Sequence, residues 1–211
     1  MSISETVPSP AYRIITPRLV IRCPEPKDAP AMDLSIRQSL DHLRPWVLWV
    51  RQEPAGLEKR IEFIRQTRGK FDIGTDFTYF IFNPAETVLL GGSSLSTRLG
   101  LGARELGYWI HTDHINQGYA TEAAAALTRV AFEVDHVRRV EIHCNPKNIR
   151  SASVARKLGF VHEATLHDRV EDVDGSLRDA MIWSLFEAAY PSSPAAGLDI
   201  QAYDAIGRRI L

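Results

Sequence analysis

The stretch that decides the fold is ELGYWIHTDHINQGYATEAAAALTRVAFEVDHVRRVEIHCNPKNIRSASVARKLGF, residues 105–160. It opens on a strand, Glu105–His111, and passes through the turn TDHIN into a long Ala-rich helix, Gln117–Asp135. A strand of alternating pattern follows, Arg138–Cys144, and then a helix, Asn148–Leu158, closed by Gly159. Where the first helix begins, Gly118 and Ala120 are small. The first turn of a helix leaves backbone N–H groups unpaired and partly positive, and small residues let an anion approach them closely. A pyrophosphate can sit there without a basic side chain. An ordinary strand–turn–helix joint with a glycine in its turn reads the same way from these residues alone.

Outward from this stretch, Arg18–Cys23 reads as a strand ended by Pro24, and Lys27–Leu43 as a helix in two pieces. Glu53–Lys70 places Leu57, Ile61 and Ile64 at helical spacing. Phe77–Phe82 and Thr87–Ser96 are strands joined at Asn83-Pro84. Phe160–Val173 and Leu177–Phe186 form a hairpin across Asp174-Gly175. The expected fold is therefore α/β with a mixed central sheet, one domain over residues 13–186. Residues 1–12 read as a flexible leader, and 187–211 as a C-terminal tail with a short helix in its last dozen residues.

Composition narrows the function. The chain has 211 residues and a net charge of −1, so no overall basic field speaks for nucleic acid. No apolar run has the length of a membrane span, and residues 1–13 lack the apolar core of a signal peptide. Two cysteines, Cys23 and Cys144, make neither a disulfide framework nor a zinc pattern; they read as packing residues in a reduced, cytoplasmic setting. The phosphate-binding GxxxxGK[ST] pattern and the GxSxG elbow do not occur. His162 and His167 are spaced five apart rather than four, and EDVDG lacks the first calcium acid, so no metal site is expected.

Taken together, ELGYWI, NQGYATEA and NPKNIRSASVARKLGF, with TPRLVIR (16–22) and HLRPWVLWV (42–50), resemble the GNAT superfamily of acyl-CoA-dependent N-acyltransferases. Within it the resemblance is to the RimJ/RimL-like ribosomal-protein N-acetyltransferases, over about residues 14–186. It implies a GNAT fold whose splayed middle strands hold the acyl-CoA pantetheine, with acetyl-CoA as co-substrate and no metal. The pyrophosphate loop would be Ile115, Asn116, Gln117, Gly118, Tyr119, Ala120 and Thr121. Thr112 leads into it, the backbone of Trp109 and Ile110 would pair with the pantetheine, and Asn148 would contact the arm or cap its helix. Arg156 is a candidate for the CoA phosphates within a basic segment. Ile115 departs from the Arg or Gln the family often carries there, and Ala155 replaces a tyrosine that many members use on the leaving thiolate.

The resemblance then assigns roles. Ser151 would hydrogen-bond or protonate the CoA sulfur, or else only bond backbone in its helical turn. Glu105 and His143 are both candidate bases; strand alternation puts Glu141, His143 and Asn145 on one face. A backbone N–H near Ile110 is the candidate oxyanion donor. The acceptor is an amine: a protein or peptide N-terminus, alternatively a small amine such as an antibiotic, polyamine or amino acid. A non-catalytic acyl-CoA-binding module and a homodimer also lie within what the resemblance allows. At pH 7 roughly 10% of an α-amine is neutral against roughly 0.04% of a lysine, a gap of about 3.4 kcal/mol, so a site without a strong base favours the α-amine. Six acids in residues 161–186 (Glu163, Asp168, Glu171, Asp172, Asp174, Asp179) read as a rim for a cationic acceptor or as a solvated hairpin. Trp46 and Trp49 read as helix packing before groove wall.

Overall fold

A computed structural model describes residues 10–172 and 174–211. The strands are β1 (Arg13–Ile15), β2 (Val20–Arg22), β3 (Phe77–Phe82), β4 (Leu89–Ser96), β5 (Ala103–Ile110), β6 (Arg139–Cys144), β7 (Val161–Glu171), β8 (Leu177–Phe186) and β9 (Gln201–Tyr203). The helices are α1 (Ala29–Leu43), α2 (Leu57–Asp72), α3 (Tyr119–Glu133) and α4 (Ile149–Lys157). All nine strands join one sheet in the order β7-β8-β6-β5-β4-β3-β2-β1-β9. Neighbours are antiparallel except β5 and β6, which run parallel.

Alternation along the strands divides the core between the two faces. Phe80 and Phe82 of β3 pack with Val20, Met32, Ile36 and Ile64 beneath α1 and α2. Leu106 and Ile110 of β5 and Val140 and Ile142 of β6 pack with Ala123–Ala126 and Leu127 of α3 and with Ala152 and Ala155 of α4. The alanine run brings α3 close against the sheet, because a methyl group is all that separates the backbones. α2 begins at Leu57 rather than Glu53, since Pro54 and Gly56 (φ +83°) stand before it and neither continues a helix toward the N-terminus.

Both ends of the chain differ from the sequence reading. Residues 1–9 of the expected leader lie outside the described residues, but Ala11 is fully buried and the Tyr12 ring packs edge-on against Phe71. The expected C-terminal helix is instead β9, paired with β1. The Asp204 side chain accepts the Ile206 and Arg208 N–H groups, and Gly207 (φ +79°) turns the chain back, so that the Ile210 N–H reaches the Ala202 carbonyl. That turn takes the backbone bonds a helix would need. Pro191 and Pro194 each sit in a short 3-10 turn, and Tyr190, Ala195, Ile200 and Ala202 are buried, so residues 187–211 belong to the same folded body.

Candidate active site

Parallel strands β5 and β6 pair only from Ala103/Arg139 to Glu105/Glu141. Beyond that point they separate, leaving β5 from Leu106 to Ile110 joined only to β4. The His111 N–H donates to the Leu90 carbonyl on the β4 side. Alternation therefore turns the main-chain groups of Tyr108 and Ile110 into the gap, and those of Trp109 toward β4. Of the two residues expected to offer their backbone there, Ile110 turns its main chain into the gap, with Tyr108 beside it, and Trp109 faces β4. The gap opens into a cavity of about 910 Å³ that passes through the sheet and reaches both faces.

On the α3 side the cavity meets the turn before α3. Asn116 (φ +60°) and Gly118 (φ +83°) are both left-handed, and they swing the N–H groups of Tyr119, Ala120 and Thr121 outward at the start of the helix. Arg18 fixes this turn from a hundred residues away. Its Nε donates to Glu122 Oε2 (2.6 Å), one Nη donates to the Gln117 carbonyl (2.9 Å), and its guanidinium lies over the Tyr119 ring. Glu122, buried in the first turn of α3, also accepts the Thr16 hydroxyl (2.6 Å) and the Arg18 N–H (3.0 Å). The combination of an exposed helix start, a left-handed glycine and a deep channel fits a diphosphate joined to a long thin chain.

Two groups of side chains face each other across the gap. On the α1/α2 face, His143 Nε2 lies 2.7 Å from Glu141 Oε2, and Arg139 holds the other Glu141 oxygen at 2.5 Å. His143 Nδ1 is 3.3 Å from an Arg98 nitrogen and 3.7 Å from Glu105 Oε2, and Arg98 also pairs with Glu105. Burial pushes the Glu141 carboxyl up, but the hydrogen bonds from His143 and Arg139 outweigh it and hold the carboxyl below its ordinary range. On the α4 face, the Ser151 hydroxyl lies 3.0 Å from the Tyr108 hydroxyl, and Cys144 borders the same wall. Asn148 caps α4 by accepting the Ser151 N–H at 3.1 Å.

Residues 18–161 match the family model described as the acetyltransferase (GNAT) domain. The chain belongs to the GNAT acetyltransferase family. Over 182 residues it is 29% identical to the [ribosomal protein uS5]-alanine N-acetyltransferase of Escherichia coli (strain K12), covering 83% of this chain and 91% of that protein. Two solved structures share its fold. Mycobacterium smegmatis RimJ in complex with CoA-disulfide has a TM-score of 0.77 at 22% identity, covering 90% of this chain and 92% of that one. RimL, the ribosomal L7/L12 α-N-protein acetyltransferase, in complex with coenzyme A has a TM-score of 0.74 at 21% identity, covering 82% and 97%. The protein is thus an acetyltransferase of RimJ/RimL-like kind, and acetyl-CoA is its donor.

In this GNAT enzyme the cavity wall includes Glu105, Trp109, Ile110, Ile115, Asn116, Gly118, Tyr119, Ala120, Thr121, His143, Asn148 and Ser151, all singled out from the sequence. Thr112, Gln117 and Arg156 are not part of it. The Thr112 N–H is taken by Ser39, the Gln117 side chain turns back to the Asp113 carbonyl, and the Arg156 guanidinium lies 5.6 Å over the Trp183 ring. Trp46 and Trp49 do border the cavity, and Trp49 meets Trp109 edge-on at 6.2 Å, so they form wall as well as packing. Of the six hairpin acids only Asp179 reaches the wall. Cys23 is a buried packing residue, its thiol pushed up to about 12 by burial, whereas Cys144 stands on the cavity wall. Sequence reading missed Tyr108, Arg98 and Arg18. Tyr108 lay inside the quoted motif, but its partner is 43 residues away; Arg98 and Arg18 act through partners that no local spacing marks.

Proposed function

We propose that this enzyme acetylates the N-terminal α-amine of a protein in the cytoplasm, a ribosomal protein being the acceptor that its relatives' names suggest. The observation that carries this reading is the single cavity through the sheet, with Ser151 on one face of the gap and the Glu105–Arg98–His143 cluster on the other. Acetyl-CoA enters past the α3 turn and threads its pantetheine between β5 and β6. The acceptor approaches from the α1/α2 face, where Trp46, Trp49 and Phe63 border the opening. A chain end can enter there while the rest of the acceptor stays outside.

The neutral amine attacks the thioester carbonyl in a ternary complex, a C–N bond forms, and the C–S bond breaks with its electron pair moving to sulfur. A backbone N–H of the gap, on Ile110, receives the developing oxyanion. Ser151 donates to the departing sulfur. The proton lost by nitrogen passes to the Glu105–His143 pair, whose two members both contact Arg98. The proton released by the amine balances the one the CoA thiol gains. Such a shared base suits an amine already partly neutral at pH 7, which an α-amine is and a lysine is not.

The reading is tested with a peptide carrying one free N-terminus and one internal lysine, incubated with acetyl-CoA and sequenced by fragmentation mass spectrometry. Acetyl on the α-amine is expected. Acetyl confined to the lysine, or to a small amine added as competitor, would overturn it.

A further inference from the structure

We infer that Tyr108 is a positioning residue that aims the Ser151 hydroxyl at the acetyl-CoA sulfur. The inference rests on the role proposed above for Ser151 and adds to it. Tyr108 projects from β5 toward α4, and its hydroxyl has two described partners, Ser151 Oγ at 3.0 Å and the Ser151 carbonyl oxygen at 3.3 Å. The phenol is half-buried on the cavity wall, and both of these partners belong to one residue. Burial raises the Tyr108 phenol well above its ordinary range, against a smaller lowering influence from Ser151, so it stays protonated and remains a donor.

A serine hydroxyl has one proton and rotates freely. The phenol has one proton for two acceptors, the Ser151 carbonyl and Oγ; the shorter contact, to Oγ, is the one that leaves the serine proton for another acceptor. The backbone of Ser151 cannot drift, because its N–H is fixed to the Asn148 side chain. Cys144, whose thiol is a weak acceptor, stands on the same wall. Ala155, at the position where many related enzymes carry a tyrosine, is fully buried and offers no donor. Tyr108 therefore brings a phenol to the leaving-group side from a strand instead of a helix, and it works through Ser151.

The test is a cycle of Tyr108→Phe, Ser151→Ala and the double variant, with kcat, KM for acetyl-CoA and melting temperature measured for each. Removing one such hydrogen bond is expected to lower kcat by about tenfold in Tyr108→Phe, with KM for acetyl-CoA unchanged within about twofold. Ser151→Ala is expected to lower kcat further, and the double variant to match Ser151→Ala alone, because Tyr108 then has nothing to aim. Ser151→Thr, which keeps a hydroxyl, should keep its sensitivity to Tyr108→Phe. If Tyr108→Phe lowers kcat by the same factor in both backgrounds, or lowers only the melting temperature, the positioning role is wrong while the Ser151 reading stands. If Ser151→Ala alone turns over at the wild-type rate, the Ser151 reading fails and the inference falls with it.

Discussion

Replacing Glu122 by Ala should loosen the turn before α3, which we propose receives the CoA diphosphate, and the size of the effect follows from its contacts. Glu122 Oε1 accepts the Thr16 hydroxyl and the Arg18 N–H, and Oε2 accepts Arg18 Nε. The Thr16 hydroxyl keeps a second acceptor, the Leu19 carbonyl at 3.4 Å. The Arg18 side chain is 47% exposed and can turn to water, so its half of the ion pair is discounted. What remains is one N–H left with only its long bond to the Thr16 hydroxyl oxygen (3.4 Å) and one weakened charged hydrogen bond, together about 2–4 kcal/mol. For a chain of this size that corresponds to a fall in melting temperature of roughly 5–15 °C. Arg18 also holds the Gln117 carbonyl, and its guanidinium lies 3.2 Å from where a Gly118 side chain would begin. Freed from Glu122, it no longer fixes the loop, and KM for acetyl-CoA should rise by about tenfold with kcat little changed. Thermal unfolding and acetyl-CoA saturation curves on Glu122→Ala and Glu122→Gln measure both effects. The Gln variant, which keeps one acceptor oxygen, should fall between the Ala variant and wild type. A melting temperature and KM both equal to wild type would refute the reasoning; a lowered melting temperature with unchanged KM would make the pair a scaffold for the fold and not for the loop.

Three further outcomes are expected. Gly91→Ala should be severely destabilised, because its new methyl would lie 2.2 Å from the Trp109 carbonyl, a backbone atom that cannot move without shifting the gap-lining end of β5; wild-type solubility and melting temperature would contradict this. His111 is held below its ordinary value of 6.5 chiefly by burial, with Nδ1 accepting the Asp113 N–H and Nε2 bonded to Gln38; its neutral form is the folded form, so stability present above pH 6.5 is lost as pH falls toward the lowered value, and KM for acetyl-CoA should rise over that window in wild type but not in His111→Gln. His143→Ala and Glu105→Ala should each lower kcat, and the double variant should lose less than the product of the two factors, since both residues contact Arg98; losses that multiply fully would show that they do not act as a pair.

The central fold was legible because its elements are long and periodic. The alternation of RRVEIHC placed Glu141 and His143 on one face, and they touch at 2.7 Å. The glycine of QGYAT marked the turn before α3, and Gly118 adopts the left-handed conformation that only glycine enters easily. The ends were not legible. A three-residue strand such as β9 carries no period, and its place was set by the Asp204 turn and by pairing with β1 nearly 190 residues earlier. The site was half legible. Motif positions showed which residues border the gap, but the links that organise them join residues far apart in sequence: Tyr108 to Ser151, Arg98 to Glu105 and His143, Arg18 to Glu122. Which strand groups face the gap also depended on the register of β5 against β4, and that turned the main chain of Tyr108 rather than Trp109 into the gap.

The most direct test is steady-state thiol release from acetyl-CoA by the purified protein, comparing a peptide with a free N-terminus against the same peptide blocked at its N-terminus. Rapid, saturable release with the free peptide alone is the expected result. Tight acetyl-CoA binding with no amine-dependent release from any peptide or small amine would contradict catalysis by this site and would leave a protein that only binds the donor.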